Sequence, residues 1–487
     1  MINIQSPILL LPVIFVFSSF ICESQVITAP VITVDIGTFL GNEQRNYYGN
    51  EAPENLDINW KLWLGKGKTI ISRKIGEKIW SGAGWTGQPL IVEEDSTLFL
   101  IQGAYDHNLK KIRADSGQLV WQYEFDDVVK GTGTIWENPK DSNTDTKFVI
   151  LQGSRLGVGN YLDSKHIPSF RAISYMTGQE LWRLDVKWTD SYSRDADGSA
   201  LILNDTVYAA FENSMFTVLD PDPQKAVTID EMIQPCIIQE RLLYKKADII
   251  AHSNNVVTES SPAKLGNHIY ITSGSGHVWG YNLESEELDW DFRTGSDMNG
   301  SVVVTGDSCL LVTLEKQYIR GHGGAFKLDP SRNPEDCVIW FYPVADSVIS
   351  SWEGGIIGSV GISDSYPDSI IKSLAAFTGI DGYLCVVNHR ETEPGKKVLG
   401  PDSLTYYPCP KIVFKKYIGP SISTPVFVKD KLIAASYAGI WLFKIDSENI
   451  FTQLDKYYSA FEATPVAWNR KIYIASRDGF LYCFGSE

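Results

Sequence analysis

Ala463-Thr464-Pro465-Val466, Lys471-Ile472-Tyr473-Ile474-Ala475 and Asp478-Gly479-Phe480-Leu481-Tyr482 follow one another near the end of the chain. The runs are short, β-branched and aromatic, with Gly and polar residues between them. That is the pattern of strands joined by tight turns. The same order occurs at Ser423-Thr424-Pro425-Val426, Lys431-Leu432-Ile433-Ala434-Ala435 and Gly439-Ile440-Trp441-Leu442-Phe443. It occurs again at Ser260-Ser261-Pro262, His268-Ile269-Tyr270-Ile271 and Gly276-His277-Val278-Trp279. Each unit gives three strands, and most are followed by a fourth carrying Trp near its middle. Self-similarity on this scale is the signature of a repeat architecture.

Working outward, a quartet opens every unit: any residue, a small one, usually Ser or Thr, then Pro or an apolar residue. It reads Thr86-Gly87-Gln88-Pro89, Thr132-Gly133-Thr134-Ile135, Asp197-Gly198-Ser199-Ala200 and Glu259-Ser260-Ser261-Pro262. It continues as Asn299-Gly300-Ser301-Val302, Ile357-Gly358-Ser359-Val360, Ile422-Ser423-Thr424-Pro425 and Glu462-Ala463-Thr464-Pro465, at spacings of 46, 65, 62, 40, 58, 65 and 40. Small residues suit innermost strands crowded around an axis. Fourth strands are marked by Trp80, Trp121, Trp182, Trp290 and Trp340, with Tyr244, Phe414 and Phe451 as weaker equivalents. The expected fold is all-β, an eight-bladed β-propeller of four-stranded antiparallel blades. The last unit stops at Phe484 without a fourth strand, and Trp80 has no blade of its own. An N-terminal strand around Lys74–Trp80 is therefore expected to complete the last blade, which removes two open edges.

Ser116-Gly117-Gln118-Leu119-Val120-Trp121 and Thr177-Gly178-Gln179-Glu180-Leu181-Trp182 resemble the repeat of pyrroloquinoline quinone (PQQ) enzymes, in which a Thr-Gly turn leads to a strand ending in Trp. The resemblance covers roughly residues 74–487. It implies an architecture shared by quinoprotein dehydrogenases and by non-catalytic propellers, such as the lipoprotein that scaffolds outer-membrane protein assembly. Fold thus leaves function to be argued from the site. Residues 25–73 read as an N-terminal extension packed on the ring. Insertions at Glu137–Lys147, Asp220–Pro235 and Asn388–Pro408 read as long loops able to carry recognition surface.

Residues 1–24 read as an export signal, with an uncharged apolar run from Pro7 to Ile21; a retained anchor is the alternative. Export makes the protein periplasmic, envelope-bound or extracellular. No later segment spans a bilayer. A net charge of −16 and a pI near 5.0 exclude a nucleic-acid binder. A monomer is expected. Six cysteines follow Cys22, and no Cys-x-x-Cys pair exists. Cys385 and Cys409 are expected on neighbouring strands, within reach of a disulfide; buried free thiols are the alternative.

The resemblance also implies a test for a quinone site. Such dehydrogenases hold Ca²⁺ and PQQ over the axis, using Glu, Asn and Asp from consecutive inner strands. Asp197, Glu259 and Asn299 open consecutive quartets in that spirit, and Arg320 falls roughly where a quinone-contacting Arg belongs. The vicinal Cys-Cys is missing, so PQQ is disfavoured and no catalytic residue is assigned. Asp195, Asp197, Glu259, Asp297, Asn299, Glu353 and Glu462 lie at or just before inner-strand starts. They should gather at one mouth of the channel as a solvated rim, a cation site for Ca²⁺ or a socket for a basic partner. The acidic alternation at Asp141–Lys147 lacks the Gly and final Glu of a Ca²⁺ loop and reads as a polar hairpin loop. The favoured function is a non-enzymatic binding or assembly scaffold for a protein or small ligand, bound at the channel mouth or the long loops. A PQQ/Ca²⁺ dehydrogenase and a carbohydrate-binding or carbohydrate-active propeller are the alternatives.

Overall fold

A computed structural model describes residues 30–486, apart from 73, 86, 161–163 and 367–368. The signal reading of residues 1–24, Cys22 and Thr86 of the first quartet lie outside the described residues. Eight antiparallel sheets follow one another along the chain and form an eight-bladed propeller. Blade 1 runs outward through Leu90–Glu94, Thr97–Gly103, Asn108–Arg113 and Leu119–Glu124, and gains a fifth strand, Ile32–Ile36, on Leu90–Glu94. The inner strands of blades 2 to 8 begin at Thr134, Leu201, Ala263, Val303, Gly361, Val426 and Val466.

The ring closes, but through a different strand from the one expected. Ile58–Trp63 pairs antiparallel with Phe480–Phe484 and is the fourth strand of blade 8. Lys74–Trp80 belongs instead to a hairpin, Lys66–Ser72 with Gly76–Ser81. Indole hydrogen bonds show why Trp60, not Trp80, is the true marker. Trp60 Nε1 donates to Ala114 O at 2.9 Å, and Trp121 Nε1 to Tyr175 O at 3.0 Å. Trp182, Trp290 and Trp340 reach the Pro221, Arg332 and His389 carbonyls in the same way. Each outer-strand Trp thus fastens its blade to the next. The turn glycines receive these rings: a Cβ on Gly117 (φ +72) would meet Trp60, and one on Gly178 (φ +70) would meet Trp121. Blade 3 lacks an aromatic marker, because its outer strand is Cys236–Leu242 and Tyr244 lies beyond it.

The insertions are structured. Asp220–Pro235 contains a hairpin, Val227–Ile229 with Met232–Gln234. Asn388–Pro408 is no loop: Tyr383–Leu399 and Tyr406–Tyr417 form one long irregular ladder whose arm places Tyr407 against Phe326 of blade 5 at 5.5 Å. That register also separates the two cysteines. Cys385 pairs with Lys415, whereas Pro410, next to Cys409, pairs with Thr392. Both are buried free thiols, and Cys385 Sγ lies 3.3 Å from Tyr342 Oη. In the 137–147 insertion, Asp141 is consumed locally, accepting from Asn143 N and Thr146 Oγ1.

Residues 37–50 run across one end of the axis and plug it. Ile135 N donates to Gly37 O, Lys264 N to Glu43 O, Val304 N to Gln44 O and Ala467 N to Tyr48 O. Arg45 is fully buried there, giving Nε to Pro262 O, Nη1 to Thr38 Oγ1 and Phe39 O, and Nη2 to Ala200 O. The axial cavity therefore opens at one end only.

Candidate functional site

The quartets form a belt around the axis. Ser199 N donates to Ser261 Oγ, Ser261 N to Ser301 Oγ, Ser301 N to Ser359 Oγ and Ser359 N to Thr424 Oγ1, each at 2.8–2.9 Å. Thr424 N reaches Thr464 Oγ1 at 3.4 Å. The Ser or Thr of the quartet is thus the acceptor for the preceding blade, which satisfies a backbone donor where no strand can. A Cβ on the second-position Gly198 would come 2.4 Å from Ser260 O, so only a small residue fits.

At blade 2 the belt residue is Thr132, which accepts from Gln88 N at 2.6 Å. The quartet there is Lys130-Gly131-Thr132-Gly133, two residues before the sequence alignment placed it. Lys130 thereby takes the first position, equivalent to Asp197, Glu259 and Asn299. Sequence reasoning missed it for this reason. The signal was present in Gly131, which a Cβ would drive into Asp197 O as Gly198 would be driven into Ser260 O.

Lys130 is buried at the centre of the site. Its ammonium contacts Asp197, lies 3.2 Å from Glu212, 3.7 Å from Glu259 and 3.9 Å from Asp195, and sits 4.9 Å above the Trp85 ring. Asp195 has its own partner, Arg155 Nε at 2.8 Å, and Glu462 pairs with Arg477 at 3.0 Å. Burial opposes the charge on Lys130, yet the four carboxylates outweigh it and raise its pKa well above the usual lysine value. Burial also raises Glu212, but the Lys130 ammonium outweighs it and holds Glu212 below the usual carboxylate range. Asp197 and Glu259 are pushed well above the carboxylate range, mainly by burial. One ammonium cannot neutralise three carboxylates, so the excess is expressed on these two.

Above this floor lies a cavity of about 570 Å³, within the size range of small-molecule sites. Asp195, Glu212, Glu259 and Glu462 line it together with Tyr105, Tyr192 and Tyr437. Two hairpins cover it. The Lys66–Ser81 hairpin contributes Ile71 and Trp80, with Thr69 held by Arg155 Nη1 at 2.8 Å. The second, Asp346–Ile349 with Trp352–Gly354, contributes Ile349 and Trp352 and is anchored through Asp346 by Lys316 and by His322 Nδ1 at 2.7 Å. Trp352 lies 6.0 Å from Trp85, and both pack on Ile357 and Ile422, the first positions of blades 6 and 7. One wall is charged and the other apolar.

The expected acidic residues sort clearly. Asp197, Glu259 and Asn299 line one small void at the floor, and Asp195, Glu259 and Glu462 line the cavity above it, so they share one face. Two residues do not join them. Arg320 is exposed in the loop between Leu310–Leu314 and Gly324–Leu328. Glu353 is exposed on the second hairpin, where strand alternation turns it away from the inward Trp352. Residues overlooked in the sequence are Lys130, Glu212, Arg155 and Trp85.

The set Asp197, Glu259 and Asn299 does not fit a Ca²⁺ ion. The Lys130 ammonium stands where the cation belongs. The Asn299 amide turns its NH₂ toward Glu259 Oε2 at 2.7 Å and Asp297 Oδ1 at 3.2 Å, offering donors and not an oxygen ligand. Among the described residues, Asp195, Asp197 and Glu212 bring carboxylate oxygens within 4.8 Å of one another, and Lys130 and Arg155 already neutralise them in part.

No known family description and no curated protein matches the chain. Among solved structures it resembles BamB from Moraxella catarrhalis, at 11 % identity and a TM-score of 0.51, over 88 % of this chain and 98 % of that one. It also resembles the quinohemoprotein alcohol dehydrogenase from Comamonas testosteroni, at 10 % identity and a TM-score of 0.58, over 93 % and 81 %. A third is the computationally designed Ika8 protein, at 11 % identity and a TM-score of 0.51, over 83 % and 98 %. The chain shares their fold. At such identities the likeness reaches the propeller and not its activity. Among the described residues, no helix is long and apolar enough to cross a membrane.

Beside the site, the propeller buries an acid pair with no basic partner among the described residues. Asp297 accepts from Asn255 Nδ2 at 3.2 Å and from the Gln317 amide at 3.1 Å; the same amide reaches Glu315 at 2.8 Å. Burial pushes Asp297 up to about 7, and burial followed by Asp297 raises Glu315 well above the carboxylate range. At these two groups the folded state binds more protons than the unfolded chain above about pH 4, so their contribution to stability declines as pH rises toward 7. For Asp297 the decline is on the order of 4 kcal/mol. Urea midpoints at pH 5 and pH 8 should fall in that order, and Asp297→Asn should shrink the difference. An unchanged pH slope in the variant rules the assignment out.

Proposed function

We propose that the protein is an exported, non-catalytic binding propeller that takes a small ligand in the axial cavity between its two hairpins. The observation that carries this reading is the single-mouthed cavity of about 570 Å³, with aromatic rings and internally paired charges and with Lys130 in the cation position. A closed floor suits retention of a ligand. A protein partner on the hairpin tips or on the Tyr383–Tyr417 arm is compatible with the same scaffold role. The quinoprotein reading is weakened by Lys130 and by the absence of vicinal cysteines from the sequence.

The test is reconstitution of the full chain with PQQ and Ca²⁺. No alcohol-dependent dye reduction and no Ca²⁺-dependent rise in melting temperature are expected. Lys130→Met removes the tethered cation, loses stability, and regains part of it with millimolar Ca²⁺, because Asp197, Glu212 and Glu259 have then lost their ammonium. Turnover of an alcohol in the reconstituted protein overturns the non-catalytic reading. A Ca²⁺-dependent rise in the unmodified protein overturns the role given to Lys130. Export is checked by mapping the N-terminus of the mature chain, which should begin near residue 25.

A further inference from the structure

We propose that the axial cavity binds an organic cation, an ammonium or quaternary ammonium head on a short apolar body. This rests on the cavity being the binding site. Five carboxylates, Asp195, Asp197, Glu212, Glu259 and Glu462, face three cations, Lys130, Arg155 and Arg477, in and just beneath its wall. Asp195 and Glu462 each have a guanidinium, so Asp197, Glu212 and Glu259 share Lys130. The shared group farthest from that ammonium, Glu259, faces the cavity. Burial raises the Glu259 carboxyl, and a cation bound beside it supplies the partner that lets it ionise, which an anionic ligand does not.

The rings around it are suited to the same head group. Cations held by the protein itself already choose aromatic faces here: Lys130 lies over Trp85, and Arg155 and Arg477 each lie 5.6 Å from the Trp80 ring. A desolvated ammonium is drawn to the negative face of such a ring. Trp85 adopts φ +50, a left-handed conformation that is strained for a bulky residue. Its ring is nonetheless fixed over the axis, between Lys130 and Trp352. Opposite the carboxylates, Ile349, Trp352 and the isoleucines beneath them offer the apolar wall that a hydrocarbon body needs. The proposal therefore calls for an amphiphilic cation with its head toward Glu259 and its body toward Trp352.

The experiment is isothermal titration of the full chain with butyltrimethylammonium and with 3,3-dimethylbutanol, whose tert-butyl group is an uncharged isostere of the trimethylammonium head, at matched ionic strength, with glucose as a third probe. Butyltrimethylammonium should bind, the isostere about tenfold more weakly or not at all. Glu259→Gln and Trp352→Ala should each weaken the cation by about tenfold while the variants keep the parent's cooperative thermal unfolding. Equal binding of cation and isostere, or cation binding insensitive to both substitutions, overturns the charge assignment. Binding of glucose or the alcohol alone also overturns it and leaves the cavity as a binding site. Failure of all three probes overturns both readings.

Discussion

A chain that begins at Leu64 loses the fold, whereas one that lacks only residues 66–81 keeps it. The first truncation removes Ile58–Trp63, so Phe480–Phe484 becomes an open edge and Tyr473 loses its contact with Trp60. It also removes the axial plug and the fifth strand of blade 1. Blades 8 and 1 then meet without the strand that ties the chain ends together, and open edges associate. The expected result is aggregated protein or a non-cooperative melt. The second deletion cuts where Gly82 N already donates to Gly65 O at 3.0 Å, so the ends meet without strain. A cooperative melt is expected for it, with an enlarged cavity mouth. In the full chain, Trp60→Ala should cost about 3 kcal/mol, through the lost ring packing and the lost indole hydrogen bond to the Ala114 carbonyl. Denaturant unfolding of the three proteins decides the matter, and a truncation from Leu64 that melts as the parent does refutes the closure.

Arg45→Met should lower stability by about 3–5 kcal/mol. The guanidinium is fully buried among carbonyls, and burial pulls its pKa down to about 9. Its hydrogen bonds tie residues 38 and 39 of the plug to the inner strands of blades 3 and 4 at Ala200 and Pro262. Met fills much of the volume and pairs with none of these carbonyls; those of Phe39 and Pro262 lose the guanidinium donor, while Ala200 O keeps Thr134 Oγ1 at 2.9 Å. Arg45→Lys keeps the charge but loses the planar fork, and should recover only part of the difference. Urea midpoints in the order parent, Lys, Met are the expected outcome. A Met variant within about 1 kcal/mol of the parent shows that the plug is not load-sharing with the ring.

The acidic mouth was legible because quartets count residues from the axis. The belt from Ser199 to Thr464 follows the sequence alignment at every step, and with it come Asp197, Glu259, Asn299 and Glu462. Lys130 was hidden because Thr132-Gly133-Thr134 offers two Ser/Thr positions two residues apart, and alternation alone cannot choose between them. Glu353 was misplaced because the second hairpin interrupts the chain before the quartet of blade 6. Trp80 was taken for the closing marker because Trp60 lies in a stretch that does not repeat.

The sequence by itself determined the architecture: eight units, their inner-strand small residues, their turn glycines and most of their docking tryptophans. These are local demands of pleat, turn and crowding that each unit must meet in its own residues. Tertiary structure alone decided which N-terminal strand closes the ring, that residues 37–50 seal one end, and that Lys130 stands among the axial carboxylates. Those are contacts between residues far apart in the chain, from Lys130 to Glu259 or from Trp60 to Ala114 and Cys483. No periodicity records them, because the energy that selects them arises only when the ring has brought the blades together.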